Sequence, residues 1–173
     1  LKKSCCTKRV EDFAEKNNVN VNASKIRNRK TEIFSSFIMK NKQKLRKSVN
    51  EIINFTKKNN IKLALSTSTT INNVEAVFKS LSNQISKEDF HFIGNRSLVK
   101  YEKPNPEIYK LTLEKLNLEP DNCLAIEDTE ESSKSALSAG IKCVGFPGDY
   151  HSDDSFEMCI KKVKILDQSL FSL

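Results

Sequence analysis

The chain holds 173 residues, 38% of them hydrophobic, with 29 Lys plus Arg against 22 Asp plus Glu, enough for one ordinary globular domain or one plus a small appendage. Its longest uncharged apolar run is only a few residues, far short of the roughly 20 needed to cross a bilayer, and no charged-then-apolar leader is visible, so a protein that neither spans a membrane nor is secreted is expected. The net charge of +7 is unevenly divided: residues 1–60 carry 16 basic and 5 acidic side chains, whereas residues 61–173 carry 13 and 17. A cationic front of this kind suits a phosphorylated small molecule or nucleic acid, and it equally describes solvated Lys-rich helices.

In chain order, apolar residues three and four apart predict amphipathic helices over 9–18 and 22–40, carried by Val10, Phe13 and Ala14 and then by Ile33, Phe34, Phe37 and Ile38. Val49, Ile52 and Ile53 give a third, ending at Lys57 and Lys58. The period then changes, and Ile61, Leu63 and Leu65 read as a buried strand that runs into a Ser/Thr edge. Helices follow over 71–81, 106–116 and 130–139, alternating with short strands at 91–94, 123–126 and 141–146. Gly140 stands just past one helix and Pro106 in the first turn of another, as stop and start signals should. Four short apolar strands separated by helices predict an α/β fold with a parallel sheet covered on both faces, preceded by a helical segment.

Ligands of such sheets bind at the carboxyl ends of the strands, so the residues immediately after each strand are the candidates. The first strand opens into Ser66-Thr67-Ser68-Thr69-Thr70, where hydroxyls and unpaired amides at a helix start can hold an anion, or simply cap the helix. The second leads to Lys103-Pro104-Asn105-Pro106, in which two prolines restrict the backbone and fix where Lys103 points. The third ends in Glu127-Asp128, paired acids that repel unless a hard divalent cation such as Mg2+ joins them, or an Asp cap for the next helix. Hydroxyls, a fixed ammonium and two carboxylates, in that order at successive strand ends, are the parts of a phosphoryl-transfer site.

The stretch from KPNPEIY at Lys103 through LAIEDTEESSKSALSAG resembles the joined third and fourth motifs of the haloacid dehalogenase superfamily, in its beta-phosphoglucomutase-like and CbbY-like branch. IKLALSTSTT at 61–70 looks like the second motif, and ASKIRNRKTEIF at 23–34 is similar to the last part of that branch's helical cap. The resemblance implies a three-layer Rossmann-like fold with a partial helical cap at 1–42 and a core at 43–173. It implies that Thr67, with the Ser68 amide, binds the transferring phosphoryl group, that Lys103 stabilises the nucleophile and its phosphorylated form, and that Glu127 and Asp128 hold Mg2+. Arg29 and Lys30 look like the cap's basic pair facing substrate; Thr7, Lys8 and Arg9 fall near the specificity loop, and Thr69 also faces substrate.

Departures from the family pattern are equally specific. The D-x-D-G-T/S motif that carries the nucleophile and the acid/base group is absent; Asp153-Asp154 has neither its spacing nor its preceding strand. Ser132 stands where the fourth motif usually has Gly, and Lys47-Ser48 replaces the Pro-Gly that usually precedes the second. Since the chain begins at Leu1 rather than Met, inside the cap, amino-terminal truncation is the expectation and a pseudoenzyme the alternative. In the family the missing strand lies between the second-motif and fourth-motif strands, so a gap or a re-paired sheet should result. The implied function is a Mg2+-dependent phosphatase or phosphomutase of a small sugar phosphate, working through an aspartyl phosphate in the complete protein, with this chain alone inactive. The alternative is a non-catalytic protein that binds an anionic partner through its basic cap. No nucleic-acid or membrane partner is expected, and a monomer is. Five cysteines without a C-x-x-C pair, Cys5 and Cys6 adjacent, point to a reducing compartment: the cytoplasm, or the plastid stroma for a photosynthetic eukaryote.

Overall fold

The computed structural model describes residues 6–172; Leu1 and Cys5 lie outside the described residues, as do the side chains of Cys6 and Thr7. Helices α1 (Cys6–Lys16), α2 (Ala23–Lys40) and α3 (Val49–Lys58) come first. Strand β1 (Ala64–Ser66), α4 (Ile71–Ser80), β2 (Phe92–Gly94), α5 (Glu107–Leu116), β3 (Leu124–Glu127), α6 (Glu130–Ser138), β4 (Lys142–Gly145) and β5 (Lys161–Lys162) follow. Capping fixes several of the starts: Asn22, Thr70 and Thr129 each accept a backbone amide from the first turn of α2, α4 and α6. Among the described residues no helix is long and apolar enough to cross a membrane.

Every strand pair is parallel, in two groups: β1 beside β2, and β3–β4–β5. Side chains alternate across the second group as the pleat requires. Ala125 and Cys143 pack with Ile108, Leu113, Ala136 and Ile141 beneath α5 and α6. Val144, with the half-buried Leu124 and Ile126, packs instead with Ile52 of α3 and with Phe146, Leu166 and Leu170. Helices therefore cover both faces, as the strand pattern predicts.

Between the two groups the sheet is interrupted. Residues 61–66 and 122–127 line opposite walls of one cleft, and among the described residues no backbone hydrogen bond crosses it. Of the two outcomes expected for a missing central strand, the gap is the one found. β1 is accordingly shorter than its apolar run: the Ile61 amide turns back to the Thr56 carbonyl, and the His91 amide donates to the Leu63 carbonyl just ahead of the ladder with β2. β5, two exposed lysines, has no apolar pattern and is not foreseen by the sequence.

Candidate active site

The cleft encloses about 1150 Å³, more than the roughly 300–1,000 Å³ of a typical small-molecule site. The excess is the furrow between the β1 and β3 edges; the polar groups gather at the carboxyl ends of those strands.

Thr67 follows β1 directly. Its amide donates to the Gly94 carbonyl at 3.0 Å, tying it to the end of β2, and its hydroxyl accepts from the Thr69 amide at 3.2 Å. Thr67, Ser68, Thr69 and Thr70 are half-buried, all four line the cleft, and they precede the amino terminus of the ten-residue α4. A loop of hydroxyls and amides at that pole attracts anions.

Lys103 is buried at the same end. Its ammonium donates to the Ser66 carbonyl at 2.9 Å, forms an ion pair with Glu127, and lies 4.8 Å from the centre of the Tyr109 ring. One cation thus ties the last residue of β1 to the last residue of β3, and the two strands point the same way across the furrow. The pair is dry, with 7% and 8% of its side chains exposed, so geometry and hydrogen bonding must repay desolvation. Tyr109 supplies part of that repayment by donating its hydroxyl to Glu127 Oε1, the oxygen that also takes Lys103. Burial first, and then the Glu127 charge, push the Tyr109 phenol well above its usual range and keep it a donor.

Both bonds fall on Oε1, and among the described residues no donor reaches Oε2. Asp128, the next residue, is exposed in the cleft. Mg2+ is usually held by one or two carboxylates, with water and phosphate completing its shell, and Glu127 with Asp128 is a donor set of that kind. Among the described residues no group of three or more His, Cys, Asp or Glu side chains stands ready to cage a cation without a ligand's help.

The helical segment contributes Arg9, Arg27, Lys30 and Phe34 to the cleft. Of the basic residues named from the sequence, Lys30 and Arg9 line the cleft. Arg29 does not: helical phase turns it to the far side of α2, where it pairs with Glu32 at 3.0 Å, and Arg27, one turn before Lys30, takes the inward place. Lys8 likewise pairs with Asp12 at 2.9 Å on the exposed flank of α1, outside the cleft lining. Sequence reasoning missed Arg27, Tyr109, Asn73 and Glu102. Arg27 is legible in hindsight, because it shares a helical face with Lys30 and Phe34; the other three depend on contacts between distant segments.

The model of the haloacid dehalogenase-like hydrolase family matches residues 6–140, and the chain belongs to that family, in its CbbY and beta-phosphoglucomutase-like branch. It is similar to the protein CbbY of Cereibacter sphaeroides, 32% identical over 127 residues, which is 73% of this chain and 55% of that one. It is also similar to the phosphorylated carbohydrates phosphatase of Thermotoga maritima, 35% identical over 119 residues, covering 68% of this chain and 51% of that one. The chain therefore spans about half the length of these curated relatives. Among solved structures, a mutant CbbY from Rhodobacter sphaeroides in complex with xylulose-(1,5)bisphosphate superposes with a TM-score of 0.82 at 26% identity, over 94% of this chain and 74% of that one.

Proposed function

We propose that this chain is the phosphoryl-binding part of a Mg2+-dependent phosphatase or phosphomutase acting on a small sugar phosphate. Residues 1–42 serve as part of a helical cap and 43–173 as the core. The observation that carries the reading is the Lys103 ammonium spanning from Ser66 to Glu127, with the hydroxyl loop on one side and Asp128 on the other. The relatives support the substrate class, since those named above include a phosphatase of phosphorylated carbohydrates and a protein crystallised with a sugar bisphosphate.

Thr67 and the amides beside it receive the phosphoryl oxygens, and Lys103 balances charge that builds as the group transfers. Glu127 and Asp128 hold Mg2+, whose chemistry when bound is neutralisation of phosphate charge. Arg9, Arg27 and Lys30 meet the rest of an anionic substrate. The nucleophilic carboxylate comes from an extended strand seated in the furrow between β1 and β3, where it ends beside Lys103. Without that strand the chain binds phosphate and turns over negligibly, because losing a covalent nucleophile can cost on the order of a millionfold. A second reading, a non-catalytic binding protein, draws on the close engagement of Lys103 by Glu127 and Tyr109, which holds its charge in place without a reacting partner.

Phosphorus NMR titration with inorganic phosphate and Mg2+, beside a turnover assay on a panel of sugar phosphates, tests the proposal. Binding that is lost in Thr67→Ala and Lys103→Met, with no turnover until an apolar peptide ending in D-x-D is added, supports it. Turnover by the unaided chain that disappears in Lys103→Met refutes the missing-nucleophile reading. Binding with no turnover even after the peptide favours the non-catalytic one.

A further inference from the structure

Two polar relays run from α2 to the loops that carry the phosphoryl-binding groups, through Asn73 and Glu102, to which the reading above gives no role. In the first, the Ser35 hydroxyl donates to Asn73 Oδ1 at 2.6 Å, and Asn73 Nδ2 donates to the Thr69 hydroxyl at 2.7 Å. Asn73 is only 6% exposed, and its backbone N–H also donates to Thr70 Oγ1 at 3.4 Å. In the second, Arg27 donates to Glu102 Oε1 at 2.6 Å, and Arg96 Nε donates to the same oxygen at 2.5 Å. Arg96 Nη1 also donates to the Val99 carbonyl at 2.9 Å, so the cluster grips the turn that leads into Lys103. Desolvation works against the Glu102 charge, but the two guanidinium groups outweigh it and hold the carboxyl below its usual range.

The two relays meet. The Arg96 amide donates to the Thr69 carbonyl at 2.8 Å, so the hydroxyl loop gripped through Asn73 and the lysine loop gripped through Glu102 are bonded to each other. Buried polar groups are costly unless satisfied, and among the described residues no buried side-chain polar atom lacks a partner. Shifting α2 would therefore break bonds at both loops at once, and shifting either loop would loosen α2.

We propose that Asn73 and Glu102 are positioning residues through which α2 sets the Thr67–Thr70 loop and the Lys103 loop together, so that docking of α2 and binding of a phosphate-sized anion are coupled. The choice of anion rests on the function proposed above; the coupling does not. Coupling of this kind is reciprocal: whatever factor docking adds to anion affinity, the anion adds to docking.

Ser35→Ala is the informative variant, because Ser35 lies outside the cleft lining and its hydroxyl is bonded to the loop through Asn73. Inorganic phosphate is the probe, with affinity read by calorimetry and protection by hydrogen exchange with mass spectrometry. Phosphate should slow exchange across 23–40 in the unaltered chain. Ser35→Ala should weaken phosphate binding roughly fivefold or more, the low end of typical couplings, and remove that remote protection. Arg27→Met should speed exchange in 95–105 without ligand, with Arg27→Lys restoring part of the protection. Unchanged phosphate affinity in Ser35→Ala together with unchanged loop exchange in Arg27→Met overturns the proposal. Should the unaltered chain bind no phosphate while Arg27→Met still loosens 95–105, the positioning of the Lys103 loop by α2 stands, and the phosphoryl reading falls together with the anion coupling.

Discussion

The strands that wall the cleft, β1 and β3, and the inner strand β4 are built from similar residues and differ in what surrounds them. On the β4 side Cys143 and Val144 are fully buried, and Ala125 of β3 is 5% exposed. On the β1 side Ala64, Leu65 and Ser66 are all half-buried, as are Leu124 and Ile126 on the facing wall. Composition does not explain this, for Leu65 is as apolar as Val144. Neighbours do: β4 has a strand on each side, whereas β1 and β3 each have one strand and one open edge. Burial here is a property of the completed sheet, and the two edges facing the furrow are where it is incomplete.

The sharpest way to break the comparison lies where the walls are joined. Lys103→Met strands the Glu127 carboxylate in a dry site with only the Tyr109 hydroxyl beside it, and should cost about 3–5 kcal/mol in urea unfolding. Lys103→Met combined with Glu127→Gln should recover most of that loss, because no uncompensated charge remains. A double variant as unstable as the single one would show that packing, and not charge pairing, holds the strand ends together.

Next in size is a matched pair of truncations. Val144→Ala removes two carbons from a site with no exposure and should cost about 2 kcal/mol. Leu65→Ala removes three carbons from the furrow wall, where solvent already reaches, and should cost about 1 kcal/mol. The larger deletion is expected to be the cheaper. If Leu65→Ala proves the costlier in the same unfolding assay, the furrow is filled in solution.

Most of this division was legible beforehand, and the exceptions have physical causes. The Ser66 to Thr70, Lys103 and Glu127-Asp128 segments were readable because each is local: a strand end, a capping run, a Pro-framed lysine. Their convergence follows from parallel strands with a common carboxyl end. Tyr109, Asn73 and Glu102 were not readable, because a buried hydrogen bond between segments leaves no periodic trace in the chain. The resemblance pairs Arg29 with Lys30 as neighbours in sequence, but helical phase sends Arg27 and Lys30 inward and Arg29 out. β5 escaped because its register comes from the β4 edge and not from its own lysines.

Acid should separate the helical arm from the core. The Glu102 carboxyl is lowered in the folded chain, so its contribution is fully present above the unfolded value of about 4.3 and is lost as pH falls through the lower folded value. Amide exchange across 23–40, corrected for its intrinsic pH dependence, should therefore lose protection below about pH 4. Glu102→Gln, which has no charge to lose, should start less protected and change less over the same range. Equal pH profiles in the two proteins would mean that the arm is held by its packing against α4 and not by the Arg27 and Arg96 pairs.

The smallest effect expected is also on the arm. Ile33 and Phe37 of α2 are 54% and 59% exposed, whereas Ile38 on the inner face is 9% exposed. Phe37→Ser removes a ring that the fold hardly uses, and its stability change should stay within about 0.5 kcal/mol, as for other surface positions. Ile38→Ala, one residue further on, should cost about 2 kcal/mol or more, since it opens a cavity against the core. The contrast between adjacent positions gives the helical face directly. A loss above about 1 kcal/mol in Phe37→Ser, growing with protein concentration, would mean that the outer face of α2 is covered by another copy of the chain in solution.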